Sequence, residues 1–111
     1  MMDAQKQVKD LLDFIDDSPS AYHAVKTIKE ALNSFGFIEL NEAEKWTLKP
    51  AGRYCVIRDD SSIIFFVLGK KPLPETGYKI LGAHTDSPGL KIKPNAVKKS
   101  DGLLRLGVEV Y

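Results

Sequence analysis

Arg53-Tyr54-Cys55-Val56-Ile57-Arg58-Asp59-Asp60-Ser61-Ser62-Ile63-Ile64-Phe65-Phe66-Val67-Leu68 is the stretch from which the fold is read. Tyr54, Val56 and Ile57 suit a strand, because β-branched and aromatic side chains pack well on a pleated surface. Asp59-Asp60-Ser61 is turn chemistry and predicts a tight reversal. Ile63 to Leu68 is a continuous, β-rich apolar run, and such a run predicts a strand buried on both faces.

Upstream, the pattern changes from strand to helix. Val8, Leu11, Leu12 and Ile15 recur at helical spacing and give that segment one apolar face. Asp16-Asp17-Ser18-Pro19 breaks it. Ser20 then fits the N-cap of a second helix, from about Ala21 to Ser34. Ala21, Val25, Ile28, Leu32 and Phe35 form its stripe, and Gly36 fits its C-terminal cap. Phe37 to Leu40 reads as a short strand, Asn41 to Lys49 as a turn around Trp46, and Pro50-Ala51-Gly52 as a break.

Downstream, Gly69 to Gly77 reads as an exposed loop. Tyr78 to Ala83 reads as the next strand. Leu90-Lys91-Ile92-Lys93-Pro94 alternates apolar and charged, as a half-exposed strand does. Leu104, Leu106, Val108 and Val110 alternate with Arg105, Gly107 and Glu109 in the same way. The sum is an α/β fold: two N-terminal helices followed by a mixed sheet.

Composition narrows the function. The 111 residues are 43% hydrophobic and 28% charged, which is ordinary for a folded domain. Sixteen basic and fifteen acidic side chains nearly cancel, giving a net charge of +1. A nucleic-acid or membrane-surface role usually shows as a basic excess, and none is present. The single cysteine, Cys55, has no partner for an internal disulfide. Met1 to Gln7 lacks an apolar signal core, and Ile63 to Leu68 is too short to cross a bilayer. A reduced, soluble, cytoplasmic protein is expected.

The segment from Ile80 to Asn95 carries the chemistry. Gly82 and Ala83 close an apolar strand pattern, His84 follows at once, and Asp86 comes two positions later. Residues two apart in an extended chain point to one side, so His84 and Asp86 are placed to meet. The carboxyl end of a strand is where open α/β sheets hold ligands. A neutral imidazole binds zinc through one nitrogen while a carboxylate accepts from the other, or the carboxylate steadies a neighbouring ligand. A surface turn is the other reading, because Asp86-Ser87-Pro88-Gly89 is turn chemistry in its own right.

Gly82-Ala83-His84-Thr85-Asp86-Ser87-Pro88-Gly89-Leu90-Lys91-Ile92-Lys93-Pro94 resembles the first metal-binding motif of the aspartyl aminopeptidases. These are zinc peptidases that remove acidic residues from peptide N-termini. The resemblance runs in order along nearly the whole chain. It takes in Ser18-Pro19-Ser20-Ala21-Tyr22-His23-Ala24-Val25, then Phe37-Ile38-Glu39-Leu40 with Trp46, then Gly52-Arg53-Tyr54 with Arg58, and last Gly107-Val108-Glu109-Val110-Tyr111.

The resemblance implies roles. His84 binds one of two zinc ions, and Asp86 is the catalytic carboxylate beside it. In the family two zincs polarise the scissile carbonyl and acidify a bridging water, and a glutamate acts as general base. The substrates are peptides with an acidic N-terminal residue, and the complete enzymes are homo-oligomers. The bridging aspartate, the paired glutamates and the second histidine have no match here, so they are expected beyond Tyr111. Residues 1–91 are then the N-terminal part of the peptidase domain, and 92–111 begin an inserted β-domain. The strand pattern reaching Tyr111 fits a fragment, expected to be inactive alone. The alternative is a truncated, non-catalytic assembly or interaction chain.

Other residues read more plainly. His23 lies outside the helical stripe and is either a locally bonded helix histidine or, by the resemblance, part of a subunit contact near the active site. Cys55 reads as a buried, inert thiol. Ser87 lacks a nucleophile-elbow setting. Asp16-Asp17 ends a helix, and Lys70-Lys71 and Lys98-Lys99 are solvated pairs. Trp46, Tyr54 and Phe65 are expected in the core.

Overall fold

The structure, a computed structural model, describes residues 3–110. The Asp3 side chain accepts from the Gln5 N–H and caps helix α1, Ala4–Asp16. Val8, Leu11, Leu12 and Ile15 share a face of α1 as expected, but that face is exposed, and only Phe14 of the helix is half-buried. Helix α2, Ala21–Ser34, starts at the predicted Ser20 cap, whose Oγ accepts from the His23 N–H. Its end is closed by two reverse bonds, Gly36 N–H to Asn33 O and Phe37 N–H to Leu32 O. Gly36, at φ 74°, takes the left-handed conformation that this double closure requires.

Three strands follow: β1, Ile38–Glu39; β2, Arg53–Arg58; and β3, Ser62–Val67. β1 pairs parallel with β2, and β2 pairs antiparallel with β3, so the sheet is mixed, in the order β1-β2-β3. Asp59 and Asp60, at φ 48° and 51°, make the tight reversal between β2 and β3. Short polar side chains tolerate this region best after glycine. The core is small. Ala24, Val25 and Leu32 of α2 and Tyr54, Cys55 and Val56 of β2 are its buried members, and Ala96 is buried further along the chain.

β3 departs from its sequence pattern. Ile64, Phe65 and Val67 are exposed, although the run was expected to be buried on both faces. The reason is layering: α2 packs against β3 and part-covers Ile63 and Phe66, while Ile64, Phe65 and Val67 are left largely uncovered. Phe65 nonetheless sets its ring against Phe37 edge-on, with centroids 6.1 Å apart. The predicted strand over Tyr78 to Ala83 does not form. Those residues are irregular and exposed, and Leu81 is wholly in solvent. A strand needs a neighbour to receive its N–H and C=O groups, and no described strand lies alongside this one. A single helical turn, α3, Leu73–Thr76, occupies the predicted loop.

The last two strands are β4, Leu90–Ser100, and β5, Leu103–Val110, an antiparallel ribbon that shares no strand with the first sheet. β4 is longer than the predicted 90–94. Its register breaks between Ile92 and Val97, where Pro94 supplies no N–H and Asn95 sits at φ 54°. Asp101 and Gly102, at φ 53° and 74°, form the two-residue reversal between Ser100 and Leu103. Tyr111, the last residue of the predicted strand, lies outside the described residues. Among the described residues no helix is long and apolar enough to cross a membrane.

Candidate metal centre

His84, Thr85 and Asp86 lie in the irregular segment 77–89, between α3 and β4. They do not sit at the end of a buried strand, as expected, because Tyr78 to Ala83 is not paired. The expected meeting of His84 and Asp86 does occur. The Nδ1 atom of His84 is 2.7 Å from the backbone carbonyl of Asp86 and 3.1 Å from its Oδ1. A carbonyl and an ionised carboxylate only accept, so Nδ1 carries the hydrogen and donates to both. In the neutral ring the lone pair then belongs to Nε2.

The two side chains are 80% and 85% exposed. Charge attraction at such exposure is largely screened. The importance of the contact is therefore orientation: it fixes the tautomer and turns one defined nitrogen outward. A histidine prepared in this way fits zinc, whose usual nitrogen donor is a neutral imidazole held from behind by a carboxylate or carbonyl. A catalytic zinc takes about three protein ligands. Among the described residues no group of three or more His, Cys, Asp or Glu side chains is arranged to hold an ion. The donor set thus fits one corner of a metal centre.

Comparison with known proteins shows the family. The family described as aminopeptidase I zinc metalloprotease (M18) matches residues 14–111. The chain belongs to the peptidase M18 family. A probable M18 family aminopeptidase 2 from Clostridium novyi is 49% identical over 107 residues, 96% of this chain and 25% of the relative. An aspartyl aminopeptidase from Aspergillus oryzae is 43% identical over 104 residues, 92% of this chain and 21% of the relative. Among solved structures, the dodecameric mApe1 of S. cerevisiae superimposes with a TM-score of 0.79 at 31% identity, over 93% of this chain and 24% of that one. This M18 chain therefore spans about a quarter of the length of the relatives it matches. The α/β class holds, and the family is one of zinc metallopeptidases.

A third residue of the motif joins the site. The Thr85 hydroxyl donates to the backbone carbonyl of Ser61, 2.9 Å away across 24 positions of sequence. Sequence reading missed this bond. Alternation held the only signal: if His84 and Asp86 share one side of an extended segment, Thr85 points to the other.

The remaining candidates in this M18 chain fall where local physics puts them. The Oγ of Ser20 lies 2.7 Å from Nδ1 of His23, so His23 is exposed and locally bonded at the helix start. Cys55 is 1% exposed, and burial pushes its thiol above the ordinary value, which keeps it protonated and inert. Tyr54 is in the core, with its hydroxyl accepting from the Lys49 N–H at 2.9 Å. Trp46 is exposed, not in the core as expected, because it belongs to the surface turn 41–46, where it donates to the Asn41 carbonyl at 2.7 Å. Phe65 is more exposed than a core residue, as described above.

Proposed function

We propose that this chain contributes one zinc ligand, His84, and one orienting carboxylate, Asp86, to the two-zinc centre of an aminopeptidase that removes Asp or Glu from peptide N-termini. The observation that carries the proposal is the pinned Nδ1 of His84, which leaves Nε2 as a single outward donor. Acidic specificity is supported by the name of the Aspergillus relative, an aspartyl aminopeptidase. A homo-oligomer is supported by the dodecameric neighbour.

The roles follow from the chemistry of the donors. His84 binds through Nε2. Asp86 holds the ring in one tautomer, makes it a better donor and offers its second oxygen to the site. Bound zinc supplies Lewis acidity and a water acidified toward neutral pH. The further ligands and the general base belong to residues outside 1–111. Residues 1–91 are read as part of the peptidase domain and 92–111 as the start of an inserted β-domain. The lack of any strand shared by the two sheets supports that division, although β4 begins two residues earlier, at Leu90.

The test is zinc content and release of Asp and Glu from short peptides by the full-length polypeptide, with and without His84→Ala. The substitution is expected to lower zinc content and abolish release. Unchanged zinc binding in the variant would end the ligand assignment. Release of neutral residues in preference to Asp and Glu would end the acidic reading alone. A second reading, a non-catalytic assembly chain, is favoured by the missing three-ligand group among the described residues. Zinc-dependent turnover by the purified 111-residue chain would exclude it.

A further inference from the structure

Residues 69–95 are exposed throughout, with one exception: Thr85, between the two site residues, is half-buried. Its bond to the Ser61 carbonyl leads out of the stretch from Lys70 to Gly89. The bonds of the Leu73–Thr76 turn and of His84 with Asp86 are local to that stretch. The acceptor is well held. Ser61 closes the β2–β3 reversal by donating its N–H to the Arg58 carbonyl at 3.1 Å, and Asp59 and Asp60 fix the turn in left-handed conformations. The Ser62 hydroxyl adds a second bond to the same Arg58 carbonyl.

We propose that Thr85 is a positioning residue, whose hydroxyl ties the His84–Asp86 pair to the β2–β3 turn and so fixes Nε2 of His84 relative to the sheet. The inference rests on the zinc reading of His84. Its physical basis is ordering. The local bonds to Asp86 orient the ring against its own segment, but they do not locate that segment. A ligand on an untied segment must be ordered when the ion binds, and that ordering weakens binding. A bond from the residue between them to a rigid turn does the ordering beforehand. Outer contacts of this kind typically change metal affinity by roughly 10–100-fold when removed.

The test measures the zinc dissociation constant of the full-length polypeptide by chelator competition, beside the melting temperature of the zinc-free form. Thr85→Val keeps the shape and removes the donor. It is expected to weaken zinc by roughly tenfold or more while the zinc-free melting temperature moves little. Thr85→Ser keeps the donor and is expected to bind as the parent does. One glycine inserted after Asp60 leaves Thr85 intact and displaces its acceptor, so it is expected to weaken zinc as valine does, and it serves if the valine variant fails to fold. Parental affinity in either the valine variant or the insertion overturns the inference, as does a serine variant as weak as valine. His84→Ala separates the two claims. If it too binds zinc as the parent does, the ligand assignment itself has failed. If it loses zinc while the Thr85 variants do not, only the tether has.

Discussion

At the scale of single residues, the chain is most constrained where two side chains compete for one space. Gly52 is such a place. A methyl group there would lie 2.5 Å from the ring and hydroxyl of Tyr54. That ring cannot swing away, because it is 4% exposed and its hydroxyl holds the Lys49 N–H. Gly52→Ala is therefore expected to destabilise the fold by about 1–3 kcal/mol, read as a lower urea midpoint. An unchanged midpoint would show that the ring relaxes freely. The Arg58 guanidinium, hydrogen-bonded to Glu42 at 2.8 Å, holds that carboxyl below its ordinary range. The sign follows from that direction. The folded state takes up its proton at lower pH than the unfolded chain, so the contribution is present above the ordinary glutamate value and fades as pH falls through the depressed one. Arg58→Gln is expected to flatten the loss of stability between about pH 5 and about pH 3, and denaturation midpoints across that range would show it. His84 with Asp86 was legible at this scale because alternation alone brings them to one side. Thr85 with Ser61 was not, because no local rule joins positions 24 apart.

At the scale of elements, termini were more legible than burial. Ser20 and Gly36 mark the ends of α2 through side-chain and backbone chemistry that is wholly local. Ser20→Ala is expected to cost about 1 kcal/mol. Its Oγ also bonds the His23 ring, so the imidazole should gain rotational freedom, visible as altered His23 ring resonances by NMR. A variant with parental stability would mean that the cap is dispensable. The Asp101-Gly102 reversal belongs to the same class. Gly102→Val forces a β-branched residue into the left-handed region and is expected to unfold the β4–β5 ribbon before the first sheet. Hydrogen exchange, faster in 90–110 than in 53–67, would report it. Uniform exchange across both sheets would contradict it. Burial of β3 and pairing of 78–83 were misread for one reason. Apolar runs state that a strand wants two covered faces, but they do not state what covers them.

At the scale of the whole molecule, those uncovered runs become the dominant fact. The radius of gyration is 20.0 Å, with extents of 70 × 41 × 23 Å. A compact domain of this length has a radius near 13 Å. The difference comes from the ribbon standing apart from the helix–sheet unit and from apolar side chains left exposed: Val8, Leu11 and Ile15 on α1, Ile64 and Val67 on β3, Ile80 and Leu81 before the site, and Leu104 and Val110 on β5. Exposed apolar area on this scale is a docking or association surface in a stable protein. The relatives are about four times as long as the matched segment, which is consistent with such surfaces being covered in the longer chains. The 111-residue chain in isolation is therefore expected either to self-associate or to remain expanded and bind a hydrophobic dye. X-ray scattering with dye fluorescence would decide. A monodisperse particle near 13 Å that binds no dye would show that the chain closes its own core, and the argument from uncovered strands would fail. An expanded or associated particle would mean that the position of His84 depends on contacts from outside this segment as well as on the Ser61 carbonyl within it.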